Sequence, residues 1–398
     1  MKKCLLSGEN LSRTKALLMG TGAAALLSCS TALAADPPSP ADMWKQIQQN
    51  QKAIEATADA MGSGGSQGWW NRTSLGGYGE VHYNGGDKHE IDVHRFVLFV
   101  GHEYSDSVRL FTEFELEHAL AGDGKPGEVE LEQAWIEFDL NKQTSARAGV
   151  VLMPIGILNE THEPPTFYGV ERNRVENKII PSTWWEAAVG FAHTMDNGLR
   201  IDALAHSGLD VPNGTFLPRS GRQKVAEATA RKPAFTGRIR YTGIPGLEVA
   251  SSLQYQADMT QADAVDVESS AILFEAHVDY KKPISKNAEL GFRALFAQWD
   301  IDGQTASDLG RDEQIGYYIE PSVKFKMASG NAVGFFARYA VDDNTAGNST
   351  DTETSEFVIG ANYWPHDNVV LKVDYQNQSA PEGTTDDDRL NAGIGFNF

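Results

Sequence analysis

The feature that most constrains this chain is a strict alternation of apolar and polar residues, repeated over most of its length. In residues 246–256, Leu247 and Leu253 lie on one face of an extended chain, whereas Glu248 and Ser252 lie on the other. A period of two is that of a β-strand with one apolar and one polar face. The pattern therefore predicts an all-β fold.

Sixteen alternating segments can be counted between residue 73 and residue 398. Short turns, such as 103–105, alternate with long connections, such as 153–183. A membrane barrel with short periplasmic turns and long outer loops keeps this rhythm, and a soluble sandwich has no reason to do so. We therefore predict a sixteen-stranded antiparallel transmembrane β-barrel over residues 73–398. The segments are 74–84, 90–102, 106–118, 127–138, 144–152, 184–193, 198–207, 233–242, 246–256, 269–280, 288–299, 313–325, 331–340, 355–364, 368–377 and 388–398.

Composition agrees with a barrel and narrows the classes of partner. Only 41% of the residues are hydrophobic. This fits a barrel, because only one face of each strand meets lipid. The formal net charge of −20 argues against a nucleic-acid partner, because phosphate binding needs a basic surface.

The first 34 residues have the pattern of a secretory signal peptide. A basic start is followed by an apolar run at 16–27 and by Ala32-Leu33-Ala34 at the cleavage position. The apolar run is shorter than the ~20 residues of a spanning helix. A lipoprotein cleavage box at Leu26–Cys29 is the alternative interpretation. Both cysteines lie within the signal, so we expect no disulfide in the exported chain.

Residues 35–72 are predicted to form a periplasmic region before the barrel. A Pro-rich spacer leads to a short helical pattern at 43–61, and a Gly/Ser-rich linker follows at 62–68. The helical pattern fits either one amphipathic helix or a coiled coil that joins protomers.

The last strand carries the sharpest single mark. Ile394, Phe396 and Phe398 continue an apolar face that begins at Leu390, and polar residues or glycines lie between them. This pattern resembles the C-terminal signal by which the barrel-assembly machinery recognises outer-membrane barrels. We expect this strand to close the barrel against residues 74–84.

The polar faces of the strands predict a charged lumen. A charge that faces lipid at mid-bilayer costs ~2–4 kcal/mol, which favours the lumen for these side chains. The third and fourth segments are neighbours, so their glutamates should form one acidic wall. That wall consists of Glu113, Glu115, Glu117, Glu128, Glu130 and Glu132.

The opposite arc is predicted to be a basic wall, and two interpretations of it remain open. Facing acidic and basic walls would create a transverse field that tunes ion selectivity. Alternatively, carboxylates on the same strands, such as Glu320 and Asp374, pair with the basic groups. The basic wall consists of Arg200, Arg238, Arg240, Arg293, Lys324, Arg338 and Lys372.

The long connection at 153–183 is the candidate constriction loop. Its four prolines would keep it out of a β-ladder, and long irregular segments are usually functional or disordered. Folded into the lumen, it would put Glu160, Glu171, Arg172 and Arg174 in the path of solutes. An outward loop that contacts other protomers is the alternative.

Two stretches resemble the phosphate-selective porin O and P type of outer-membrane porin. Residues 148–156 (AGVVLMPIG) are similar to that family's fifth strand and the turn after it, and residues 362–375 (NYWPHDNVVLKVDY) to its penultimate hairpin. Weaker likenesses occur at 92–95 and 134–136. The resemblance implies a homotrimeric, sixteen-stranded channel with a long loop folded inward. Phosphate selectivity is not carried over, because the family's ladder of basic residues is partial here.

These observations predict an outer-membrane porin in outer-membrane lipid, a passive channel for small hydrophilic solutes or ions, with anions such as phosphate among the candidates. The alternative is a non-conducting barrel that acts as an adhesin or as a structural or binding module of the envelope. We find no catalytic or nucleotide-binding motif, so we expect no enzymatic activity and no cofactor. We expect His82, His94, His102 and His118 to be scattered over the wall, without a metal.

Overall fold

The computed structural model describes residues 69–86, 89–262 and 268–398. They form a closed barrel of sixteen antiparallel strands, in which each strand pairs with its neighbours in sequence and the first pairs with the last. The predicted all-β barrel is therefore confirmed. The predicted signal peptide, spacer, short helix and linker at 1–68 lie outside the described residues and stay predictions.

All sixteen predicted segments correspond to strands. The strands are β1 (Thr73–Gly85), β2 (Glu90–Ser105), β3 (Val108–Glu117), β4 (Val129–Asp139), β5 (Thr144–Leu152), β6 (Trp185–Thr194), β7 (Leu199–His206), β8 (Ala234–Tyr241), β9 (Leu247–Gln256), β10 (Ala271–Ser285), β11 (Ala288–Ile301), β12 (Glu313–Lys326), β13 (Ala332–Asp343), β14 (Thr354–His366), β15 (Val369–Ser379) and β16 (Arg389–Asn397).

The clearest difference from the predicted bounds is at β10, which continues to Ser285 instead of ending at Tyr280. Its last residues stay paired with β11 through Lys281↔Gly291 and Pro283↔Glu289. The sequence predicts a turn over 281–287. Backbone pairing does not need an apolar face, so the hairpin continues through Lys281 and Lys282.

In the described part of the chain, regular structure outside the strands is limited to short pieces before β1 and in the connections. Two short helices, α1 (Val175–Lys178) and α2 (Gln304–Asp308), and 3₁₀ turns at Trp69–Arg72, Pro164–Thr166 and Pro218–Gly221 are present. Among the described residues, none of the helices is long and apolar enough to span a bilayer.

The two faces of the strands have opposite chemistry, as the alternation predicted. On β15, Leu371 and Val373 are each more than two fifths exposed on the outside of the barrel, whereas Lys372 and Asp374 between them are buried inside it. An apolar outer band with a polar interior is the arrangement of a transmembrane barrel.

The interior also holds an apolar core, which strands alone would not provide. Met153 and Ile179 from the 153–183 connection pack in one buried cluster with Phe216 from the 207–233 connection and with Trp299 of β11. These two connections therefore fill part of the lumen.

A charge on the outer face should be far more destabilising than the loss of apolar surface there. Ile359 lies near the middle of β14 and is 53% exposed. We expect Ile359→Arg to lower the free energy of unfolding in lipid vesicles by ~2–4 kcal/mol, because the guanidinium would face hydrocarbon. Ile359→Ala is the control, and equal losses for the two variants in a denaturant titration would contradict an outer face in lipid.

Candidate functional site

The connection at 153–183, the inward loop, lies inside the barrel and contacts strands on several sides of it. Glu171 accepts from His82 of β1 at 3.1 Å, and Arg174 pairs with Asp342 of β13 at 2.6 Å. Glu160 forms an ion pair with Arg238 of β8. A loop that reaches strands so far apart crosses the lumen; its role as a constriction stays a prediction.

Glycines in the wall make room for the inward loop. A Cβ atom added at Gly316 of β12 would lie 2.8 Å from Cγ1 of Ile179, and one at Gly334 of β13 would lie 2.8 Å from Cε1 of Tyr168. Side chains larger than hydrogen at these positions would displace the loop. These two glycines therefore let the loop pack directly against the backbone of the wall.

The inward loop folds around one buried carboxylate. Glu176 of α1 accepts hydrogen bonds from the backbone N–H groups of Ile157 and Leu158, at 2.8 and 2.5 Å. Its other oxygen accepts from the hydroxyl of Tyr318 on β12, at 2.8 Å. This single side chain thus ties the two ends of the loop to each other and to the wall.

The six glutamates predicted as an acidic wall lie on the adjacent strands β3 and β4, or, for Glu128, immediately before β4. They occupy three different environments. Glu113, Glu115 and Glu132 are buried behind the inward loop, and Glu128 is exposed at the end of the strand. Glu117 and Glu130 line a cavity.

The seven predicted basic-wall residues have partners on the wall or on the loop. The five arginines are in ion pairs: Arg200 and Arg238 with Asp202, Arg240 with Glu248, Arg293 with Asp279 and Arg338 with Glu320. Lys372 donates to the carbonyl of Gly169 at 2.8 Å, and the ammonium of Lys324 lies 4.0 Å from the ring centre of Trp364. Pairing with carboxylates, one of the two interpretations that the sequence left open, describes the five arginines of this arc but not its two lysines.

Three arginines without a carboxylate partner among the described residues lie together on the loops. A cavity of about 210 Å³ between β1–β4 and the two filling connections is lined by Arg172, Arg219 and Arg222. Within the described ranges, none of these three forms an ion pair with a carboxylate. Arg219 and Arg222 donate instead to the backbone carbonyls of Ser182 and Thr183. We call these three residues the arginine cluster.

The arginine cluster is electrostatically strained. Burial and the neighbouring guanidinium groups of Arg222 and Arg172 lower the pKa of Arg219. Across the cavity, Glu130 is already paired with Lys224. An anion in the cavity would relieve this repulsion, and a bidentate oxyanion would match the planar donors of arginine.

Sequence reasoning foresaw Arg172 on the inward loop and missed the other two members of the cluster. Arg219 and Arg222 lie in the 207–233 connection, at and just after a 3₁₀ turn that starts at Pro218. The available signal was a second long connection with basic residues beside a proline. No feature of the local sequence indicates that this connection also folds into the lumen.

The expectation of scattered wall histidines is wrong for three of the four residues. The ring centres of His82 and His94 are 4.7 Å apart, and those of His94 and His118 are 5.9 Å apart. Antiparallel pairing of β1, β2 and β3 brings these same-face positions together. His102 lies apart from them and contacts Thr73.

The predicted insertion-signal residues lie at the seam of the barrel. Ile394 and Phe398 are more than two fifths exposed on the outer side, and Phe396 is half-buried. The backbone of Phe398 exchanges two hydrogen bonds with Gly77 of β1. The predicted closure against β1 is therefore confirmed, and recognition by the assembly machinery stays a prediction.

Removing the carboxylate of Glu176 should release the inward loop without opening the barrel. Glu176→Ala leaves several buried donors unpaired, at a cost of ~1–3 kcal/mol for each. We expect proteases to cut this variant within 153–183 while the folded barrel persists on a gel. Glu163→Ala is the matched control, because no polar contact of its carboxylate is found among the described residues. Equal resistance of both variants would show that Glu176 does not anchor the loop.

Comparisons with known proteins support the fold. No protein-family model matches the chain. An uncharacterised protein of Aquifex aeolicus (strain VF5) is 27% identical over 352 residues, which cover 82% of this chain and 80% of that protein. The anion-selective porin from Comamonas acidovorans superposes with a TM-score of 0.55 at 11% identity, and covers 82% of this chain and 99% of its own. The outer-membrane channel DcaP of Acinetobacter baumannii superposes with a TM-score of 0.53 at 12% identity, and covers 82% of this chain and 97% of its own. The chain thus has the barrel fold of outer-membrane porins.

Proposed function

We propose that this protein is an outer-membrane porin that lets small hydrophilic solutes diffuse passively and prefers anions, phosphate among them. The observation that carries the proposal is the arginine cluster beside the lumenal cavity. Wall charges that are paired cancel at short range. The three guanidinium groups of Arg172, Arg219 and Arg222 outnumber the one carboxylate of the cavity lining without an ion pair among the described residues, that of Glu117, and leave a local excess of positive charge.

The acidic total charge of the chain does not oppose this preference. Electrostatic interactions in water at physiological ionic strength decay over ~8 Å. An ion in the lumen therefore responds to the few charges around it and not to the sum of −20 over the whole chain. Some of the carboxylates, such as those of Glu382 and Asp386, belong to exposed residues of the loop between β15 and β16.

Two further points support the proposal. One protein with the same fold is named an anion-selective porin and another an outer-membrane channel. The likeness of residues 148–156 and 362–375 to the phosphate-selective porin O and P type favours phosphate as a permeating anion and a homotrimer as the assembly. The apolar outer band supports residence in a membrane, and the shared fold with outer-membrane proteins supports the outer membrane as its location.

A second candidate function is a non-conducting barrel that acts as an adhesin or envelope module. The observation in its favour is the amount of loop inside the lumen, where Met153, Phe216 and Trp299 form part of a buried apolar cluster. A filled lumen would pass no ions.

Conductance of the purified protein in a planar bilayer separates these functions. Under a potassium chloride gradient we expect discrete conductance with a reversal potential on the anion-selective side. The double variant Arg219→Gln with Arg222→Gln should lose most of this preference, because it removes two unpaired charges. Phosphate in place of chloride then tests whether phosphate itself carries current.

The matched control removes the same charge near the short turns. Arg72 and Arg147 are ion-paired there with Asp106 and Glu137, so Arg72→Gln with Arg147→Gln should keep the reversal potential of the original protein. Cation selectivity of the original protein would contradict the anion preference. Stable insertion without conductance would favour the adhesin or envelope module.

A further inference from the structure

A separate cluster of ligating side chains lies behind the cavity, where the inward loop meets the acidic wall. It consists of Glu113 on β3, Glu132 on β4 and His162 on the loop, which are 2%, 0% and 3% exposed. One ligand atom of each residue lies within 4.8 Å of the ligand atoms of the other two. We call these three residues the loop–wall triad.

The separations within the triad suit metal ligands better than hydrogen-bond partners. Nε2 of His162 lies 3.6 Å from Oε1 of Glu113 and 3.5 Å from Oε2 of Glu132. Good hydrogen bonds between nitrogen and oxygen are shorter, about 2.7–3.2 Å. Around a tetrahedral zinc with bonds of about 2.0–2.1 Å, ligand atoms are roughly 3.3 Å apart.

The converging atoms are also unsatisfied. Both carboxylate oxygens of Glu132, Oε1 of Glu113 and Nε2 of His162 are buried without a hydrogen-bond partner in the described part of the chain. Buried polar atoms are almost always satisfied in folded proteins, and each one left alone is destabilising. Three of these atoms, Oε1 of Glu113, Oε2 of Glu132 and Nε2 of His162, lie close together and indicate an occupant that accepts electron pairs.

Neighbouring groups orient the triad as they do around bound metals. Nδ1 of His162 lies 3.2 Å from the backbone carbonyl of Asn159, so that nitrogen donates and leaves the Nε2 lone pair directed at the carboxylates. Gln133 donates to the second oxygen of Glu113 at 2.6 Å, which leaves Oε1 free. A ligating histidine typically donates its other N–H to a carbonyl or carboxylate in this way.

We propose that Glu113, Glu132 and His162 bind one divalent transition cation of the zinc type. Two carboxylates and a neutral imidazole supply the oxygen and nitrogen ligands that zinc prefers. The charge of the divalent ion neutralises the two negative charges of the carboxylates. The bound ion ties the inward loop to β3 and β4. This site goes beyond the proposed channel and does not depend on conduction.

The competing occupant is a proton. Burial disfavours a charged imidazole, but the adjacent carboxylates of Glu113 and Glu132 raise the pKa of His162 to about 10. A protonated His162 would then bridge the two carboxylates, and no metal would bind. Metal titration distinguishes the two occupants directly.

The test uses the full chain, folded in detergent, stripped with a chelator and titrated at neutral pH with Co²⁺ as a spectroscopic probe. We expect one Co²⁺ per chain, the visible absorption of a tetrahedral site, and displacement by Zn²⁺. Glu132→Gln and His162→Asn should each weaken binding at least about tenfold, because each removes a ligand. Heat-dependent gel mobility checks that every variant is folded.

Two histidine variants complete the design. His193→Asn removes a histidine that contacts Thr144 and belongs to no such cluster, so binding should be unchanged. His94→Asn removes a group shared by both neighbouring histidine–carboxylate clusters. Absence of stoichiometric binding to the original protein would overturn the proposal in favour of the proton. Binding lost in His94→Asn and kept in His162→Asn would overturn it in favour of the histidine cluster. The channel could fail its own test without affecting any of these results.

Discussion

Closure of the backbone hydrogen-bond ladder is the constraint on which the rest of this structure depends. In hydrocarbon there is no water to satisfy an exposed N–H or C=O group, so a sheet can span a bilayer only if it has no edge. Pairing of β1 with β16 removes the edge here, and two backbone hydrogen bonds between Phe398 and Gly77 continue this pairing. Each strand then has one face toward lipid, and charged residues at mid-strand, such as Lys372 and Asp374 of β15, are directed to the other face.

Because charged side chains are kept away from lipid, they are concentrated in the confined interior of the barrel. There they find partners in two ways. Along the wall, guanidinium and carboxylate groups on neighbouring strands pair, as Arg293 does with Asp279 and Arg338 with Glu320. Arg219 and Arg222 of the 207–233 connection differ, because they donate to backbone carbonyls in place of carboxylates. The difference explains why selectivity is better sought on the loops than on the strands.

The inward loop connects these two regions. Hydrogen bonds to the buried carboxylate of Glu176 hold the loop in place, and Gly316 and Gly334 leave room for it against the wall. The loop also brings His162 to the glutamates behind it. The same loop therefore shapes the cavity and completes the loop–wall triad. A metal at the triad would add rigidity to a segment that otherwise depends on hydrogen bonds and apolar packing.

The alternation along the chain by itself determined the number of strands and the face that each strand turns to lipid. It also determined which charged side chains of the strands face the lumen, because a side chain's face depends only on residues two apart. The closing strand was equally readable from its own residues. Only the tertiary structure decided which charges pair, that the 207–233 connection folds inward, and that His82, His94 and His118 meet. Those outcomes depend on register between strands and on packing across the lumen. A one-residue shift in pairing changes every neighbour of a side chain without changing the local pattern.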